Sequence, residues 1–116
     1  MNFSHQITEN ILSIVVDGDL LGQTDEAKII TFVEKSLENQ KFCIFNVQKV
    51  AYMNSSGISL LIRVLNKFRA VGGEMVLLNP TDSVSKLLMI TKLNQILSVF
   101  KNSEEATNFL KEKVNS

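Results

Sequence analysis

The sequence predicts an α/β domain built on a mixed, largely parallel sheet. Three observations predict it. Short apolar runs alternate with amphipathic stretches of helical period. From Phe3 onward the order is strand, strand, helix, strand, helix, strand, helix, strand, helix. Only the first two strands are close enough in sequence to form a hairpin. At 116 residues the chain has room for one core, so residues 1–116 are expected to form a single domain of about five strands and four helices.

Phe3 to Ile7 and Ile11 to Val16 read as the hairpin strands, joined by the polar turn Thr8-Glu9-Asn10 and ended by Asp17-Gly18-Asp19. Thr24 or Asp25 is placed to cap a first helix running to about Asn39. Its spacing puts Ala27, Ile30, Val33 and Leu37 inward, and Glu26, Lys28, Glu34, Lys35 and Glu38 outward. Phe42 to Phe45 is a short apolar run of the kind buried inside a sheet. The second helix spans Ser55 to Val71, with Ile58, Leu61, Leu65 and Phe68 at helical spacing, Leu60 and Val64 widening the stripe, and Gly72-Gly73 as its stop.

Met75 to Leu78 is the next strand, closed by Asn79-Pro80, whose proline disfavours helix at Asn79. Thr81 or Asp82 caps a third helix carrying Val84, Leu87 and Leu88 on one face. Ile96 to Phe100 reads as the last strand. Ser103-Glu104-Glu105 opens a final helix with Ala106, Phe109, Leu110 and Val114 inward, its acidic residues suited to the positive end of the dipole. Crossovers between parallel strands are expected to be right-handed. The strand ends then bring the Asp17–Thr24 loop and the Asn54–Gly57 turn toward one another, beyond the carboxyl edge where sites in such sheets lie.

Composition excludes several classes. Twelve basic and twelve acidic residues cancel, and at a pI near 6.6 there is no global pull toward nucleic acid or anionic lipid. No run approaches the roughly 20 apolar residues of a membrane span, and the N-terminus lacks the basic and apolar regions of a signal peptide. The expectation is a cytoplasmic, soluble chain. One cysteine excludes an intrachain disulfide, and Cys43 sits where it packs as a small hydrophobe. One Cys and one His make no zinc or iron–sulfur set, so no metal or cofactor is expected.

The stretch Tyr52-Met53-Asn54-Ser55-Ser56-Gly57-Ile58 carries the most information, because it joins an apolar strand to an amphipathic helix. Two hydroxyls and a glycine crowd a helix's first turn, where N–H groups lack intrahelical partners and the dipole is positive. Ser55 and Ser56 are therefore candidates for phosphate binding or phosphorylation, although Asn, Ser and Gly there are also ordinary capping residues. The remaining catalytic inventory is empty. His5 lies in the first strand, far in sequence from both serines. Asp17 and Asp19 flank Gly18 as turn formers, and Gly72-Gly73 follows a helix rather than opening one. No enzyme is expected.

Over nearly its whole length the chain resembles the STAS-domain anti-sigma-factor antagonists of bacteria. That family's signature is an acidic or amide residue, two hydroxyl residues and glycine after the third strand, matched by Asn54-Ser55-Ser56-Gly57. Gly18-Asp19-Leu20, Gly73, Leu77-Leu78-Asn79-Pro80, Val84, Leu87, Leu88, Thr91, Leu93, Val99-Phe100 and Glu104-Glu105-Ala106 continue the pattern in order. The resemblance implies a single STAS-type domain acting as a protein-interaction switch. In the family, the unphosphorylated domain binds an anti-sigma factor that is itself a serine kinase, which frees a sigma factor. The kinase phosphorylates the serine before the glycine, here Ser56, and a PP2C-type phosphatase reverses this.

The implied partner surface is Asp19, Leu21, Asn54, Ser55, Ser56 and Gly57, with no direct contact to nucleic acid or membrane. Two positions depart from the pattern: Asn54 stands where many members have Asp, and Leu21 where an acidic residue is common. A second reading, in which the fold is a non-switching scaffold subunit of a transporter or sensory complex, remains open at this stage. Nucleotide binding at the strand ends ranks last, because no phosphate-loop lysine accompanies the Ser-Ser-Gly turn.

Overall fold

The computed structural model describes residues 2–22 and 26–114. Its elements, in chain order, are β1 (Asn2–Thr8), β2 (Ile11–Asp17), α1 (Glu26–Ser36), β3 (Phe42–Lys49), α2 (Ser55–Ala70), β4 (Glu74–Leu78), α3 (Asp82–Ile90), β5 (Ser98–Phe100) and α4 (Ser103–Val114). The single sheet is ordered β1-β2-β3-β4-β5, antiparallel at β1–β2 and parallel in every other pair. The expected fold class is therefore the one observed.

The strand order explains the layering. Each parallel crossover steps the same way across the sheet, so the right-handed rule sends α1, α2 and α3 to one face. Leu12, Ile14, Val16, Cys43, Phe45, Val47, Met75 and Leu77 point to that face and meet Ile29, Val33, Leu61, Leu65, Phe68, Val84 and Leu88. Period-2 alternation turns Ile11, Ile44, Val76 and Leu78 to the other face, where Ala106 and Leu110 of α4 cover them. The central strands are buried on both sides, which is why they read as continuous apolar runs.

Helix ends follow local chemistry. Asn54 caps α2 and Thr81 caps α3, its Oγ1 accepting from the Val84 N–H at 3.3 Å. The stop of α2 is a Schellman turn, in which Gly73 N–H donates to Phe68 C=O and Gly72 N–H to Arg69 C=O. The candidate caps of α1, Thr24 and Asp25, lie outside the described residues.

Several sequence expectations need correction. β3 continues to Lys49, because the alternation Asn46-Val47-Gln48 keeps Val47 inward after the apolar run has ended. α1 is rotated from its expected phase: Ile29 joins Ile30 and Val33 in the core, which carries Glu26 inward and leaves Ala27 exposed. Its last turn closes at Ser36, short of Asn39, and Leu37 is only half-buried. Ile96 is not in the last strand. A 3-10 turn at Leu93–Gln95 follows left-handed Lys92, leaves Ile96 exposed and puts Leu97 in the core, so β5 is only Ser98–Phe100. Val114 is exposed at the end of α4, and Phe109 is half-buried against Phe100, with ring centroids 5.2 Å apart.

Candidate functional site

The carboxyl ends of β2 and β3 deliver the two segments that the sequence singles out. Pairing shifts register between Val15 and Asp17, a bulge that redirects the chain leaving β2 across the end of β3. Residues 18–20 then run beside residues 49–54. Gly18 N–H donates to Lys49 C=O at 3.2 Å, Leu20 N–H to Tyr52 C=O at 3.1 Å, and Asn54 N–H to Leu20 C=O at 3.2 Å. Asp19 contributes its side chain, Oδ1 accepting from the Tyr52 N–H at 3.1 Å. Asp19 therefore works as a structural acceptor.

Asn54 carries the other half of this junction. With extended backbone (φ −111°), its Oδ1 accepts from the N–H of Ser56 at 3.0 Å and of Gly57 at 3.2 Å. Its Nδ2 donates to Leu21 C=O at 3.1 Å. The Ser56 and Gly57 amides are thus already committed, so the open anion cradle expected from an uncapped first turn is not what the backbone offers.

Gly57 is buried because nothing larger fits. A β-carbon there would lie 2.4 Å from the Leu20 carbonyl oxygen and 2.5 Å from Met53 Cγ. Leu20 is fully buried under this contact, while neighbouring Leu21 is exposed. Tyr52 also stands in solvent beside it, 64% exposed.

The two serines differ in surroundings although both are exposed. Ser56 lies against Gly22, where a β-carbon would sit 2.8 Å from Ser56 Oγ and where φ is +85°. Ser56 also lines a groove of about 510 Å³ between α1 and α2, whose walls include Gly22, Glu26, Ser59 and Arg63. Ser55 is not among the residues that line this groove.

The structure places Asp19, Leu21, Asn54, Ser55, Ser56 and Gly57 at one junction, and it adds Gly22 and Glu26, which the sequence reading does not include. Glu26 is only 8% exposed, and its Oε1 has no hydrogen-bond partner. Gly22 is 34 positions from Ser56 and carries no local signal of the contact. The isoleucine pair Ile29-Ile30, read as a stripe centred on Ile29, is the signal that would have turned Glu26 inward.

Outside the groove, chemistry is sparse. Cys43 is fully buried in β3, and burial in apolar surroundings pushes its thiol far above the ordinary range. His5 is exposed on the edge strand, its ring centroid 4.4 Å from that of Phe32. Among the described residues no group of His, Cys, Asp and Glu is arranged to hold a metal, and no helix is long and apolar enough to cross a membrane.

Comparison with known proteins agrees with this geometry. A curated anti-sigma F factor antagonist of Lysinibacillus sphaericus is 32% identical over 50 residues, a match covering 43% of each chain. The chain thus aligns with less than half the length of that relative. SpoIIAA, an anti-sigma factor antagonist, has been solved unphosphorylated (TM-score 0.81, 23% identity, 96% of this chain and 97% of that one). The Bacillus protein has also been solved in its phosphorylated form (TM-score 0.67, 25% identity, 92% and 97%). A sulfate transporter family protein of Wolinella succinogenes shares the fold too (TM-score 0.81, 15% identity, 96% and 93%). The sequence model of the STAS domain matches residues 2–106, nearly every element from β1 into α4, and the chain belongs to the STAS domain family.

Proposed function

We propose that this chain is a cytoplasmic anti-sigma-factor antagonist, controlled by phosphorylation of Ser56 and acting by binding rather than catalysis. The observation that carries the reading is the placement of Ser56: exposed, on the first turn of α2, lining a groove and against the loop that leaves β2. The unphosphorylated surface binds an anti-sigma factor with serine kinase activity and frees a sigma factor. A PP2C-type phosphatase restores the bound form. Leu21, Asn54, Ser55 and Ser56 supply exposed contact surface. Buried Gly57 and half-buried Asp19 contribute by shaping the backbone under it.

A phosphoserine adds roughly 1.5 to 2 negative charges near neutral pH. At the amino end of α2 that charge is compatible with the dipole, so the fold persists. The cost falls on the partner, whose contact surface meets a charge that must be desolvated.

Intact-mass and peptide mass spectrometry test the reading, after incubation with ATP and host-cell extract, on wild type, Ser56→Ala and Ser55→Ala. One added phosphate that disappears only in Ser56→Ala supports the switch. If an extract that phosphorylates other antagonists adds nothing, the second reading moves ahead. That reading is a non-switching scaffold subunit of a transporter or sensory complex, supported by the likeness in fold to the transporter-family protein.

A further inference from the structure

We propose that the groove between α1 and α2 receives a cationic side chain, a guanidinium or ammonium group, which the protein partner places on the Glu26 carboxylate. This rests on the reading that a partner docks around Ser56. A carboxylate in a helix's first turn ordinarily stands in solvent, where it complements the dipole. Glu26 instead lies within the groove wall, 8% exposed, with Oε1 buried and without a hydrogen-bond partner, so a cation entering the groove meets the carboxylate at Oε2, on the Gly22 side. A buried carboxylate left in that condition is costly, and a charge-assisted pair is the chemistry that relieves it.

The groove also specifies where the cation goes. Arg63 lines it seven residues along α2 from Ser56, roughly 10 Å by helical rise, so the groove is acidic near Ser56 and basic farther along. A partner side chain of positive charge is therefore favoured at the Ser56 end alone. The chain has no net charge to steer an approach, which leaves recognition to such local pairs.

Ser56 controls entry. No room remains between its hydroxyl and Gly22, since a β-carbon on Gly22 would lie 2.8 Å from Oγ. A phosphate on Ser56 extends into the groove that Ser56 and Glu26 both line and takes the space the partner's side chain needs. Phosphorylation and cation docking are then mutually exclusive.

The test is a titration of the unphosphorylated chain with N-acetyl-argininamide, followed by amide NMR shifts, with the neutral isostere N-acetyl-citrullinamide as control. Saturable shifts at Gly22, Glu26 and Ser59 with arginine only, lost in Glu26→Gln, are expected. Equal shifts with citrulline, no saturable shift, or shifts retained in folded Glu26→Gln overturn the proposal. The citrulline comparison uses wild type, so it decides the matter even if the variant does not fold. A second arm uses the extract kinase: Glu26→Gln should weaken its binding roughly tenfold or more, as expected for loss of a charged hydrogen bond. An unchanged KM for Ser56 phosphorylation in Glu26→Gln sinks this inference and leaves the phosphorylation reading standing. Arginine-specific binding in a chain that accepts no phosphate would instead sink that reading and support the groove.

Discussion

Asn54 and Leu21 are joined by a hydrogen bond that a carboxylate could not make: Asn54 Nδ2 donates to the Leu21 carbonyl at 3.1 Å while Oδ1 caps α2. One side chain thus closes the helix and ties down the loop leaving β2. The amide at position 54 therefore has a structural use.

Replacing Asn54 separates the two tasks. Asn54→Ala removes both and should cost about 1–3 kcal/mol, a lost cap plus a lost hydrogen bond. Asn54→Asp keeps the cap and sets an anionic oxygen against the Leu21 carbonyl, so the loss is smaller and confined to the loop. Urea unfolding measures the first difference. Faster amide exchange at Leu20 and Asn54 in Asn54→Asp, with exchange in the middle of α2 unchanged, would show the second.

Gly57→Ala forces a β-carbon to within 2.4 Å of the Leu20 carbonyl oxygen. Either α2 or the Leu20 segment must shift, at a cost of about 1–3 kcal/mol, as for other overpacked sites. A drop in the urea midpoint with NMR shifts centred on Leu20 and Met53 is the expected result. Wild-type stability in Gly57→Ala would contradict the contact.

Ser56→Asp should leave the far-ultraviolet circular dichroism unchanged, because the added charge lies at the positive end of α2. Its local effect should be visible, since the Ser56 hydroxyl already lies against Gly22. Amide shifts are expected around Gly22, Glu26 and Asn54. A loss of helical signal would overturn this.

Cys43 gives a pH dependence of known sign. An unfolded thiol ionises near about 8.5, whereas burial keeps the native thiol protonated well beyond that. Above that pH the unfolded chain binds fewer protons than the native one, so stability falls as pH rises, by up to about 1.4 kcal/mol per unit. Cys43→Ala should lose this component of the alkaline slope. Native Cys43 should also resist thiol reagents at pH 8 until the chain unfolds.

The fold was largely legible because each element carries its own period. The alternating order, the two-glycine stop of α2 and the Pro80 break are local signals, and each sits where expected. What escaped depends on distant partners. The rotation of α1 buries both Ile29 and Ile30, and an adjacent pair does not by itself mark which flank of the stripe turns inward. The Ser56–Gly22 contact joins segments 34 positions apart, so no window along the chain contains it. Three of the four extra residues of β3, Asn46, Gln48 and Lys49, are polar, which masks a strand to anyone following apolar runs alone.

The one-way stepping of the strands leaves α4, among the helices of the described residues, by itself on its side of the sheet, over buried Ile11, Ile44, Val76, Leu78, Ala106 and Leu110 with Phe42, Phe100 and Phe109 packed against them. The smaller of two layers is the one expected to open first by local unfolding while the opposite layer holds. Ser56 and its groove belong to the opposite layer. Transient release of the last helix therefore exposes the back of the sheet to proteases and exchange with solvent without altering the surface presented at Ser56.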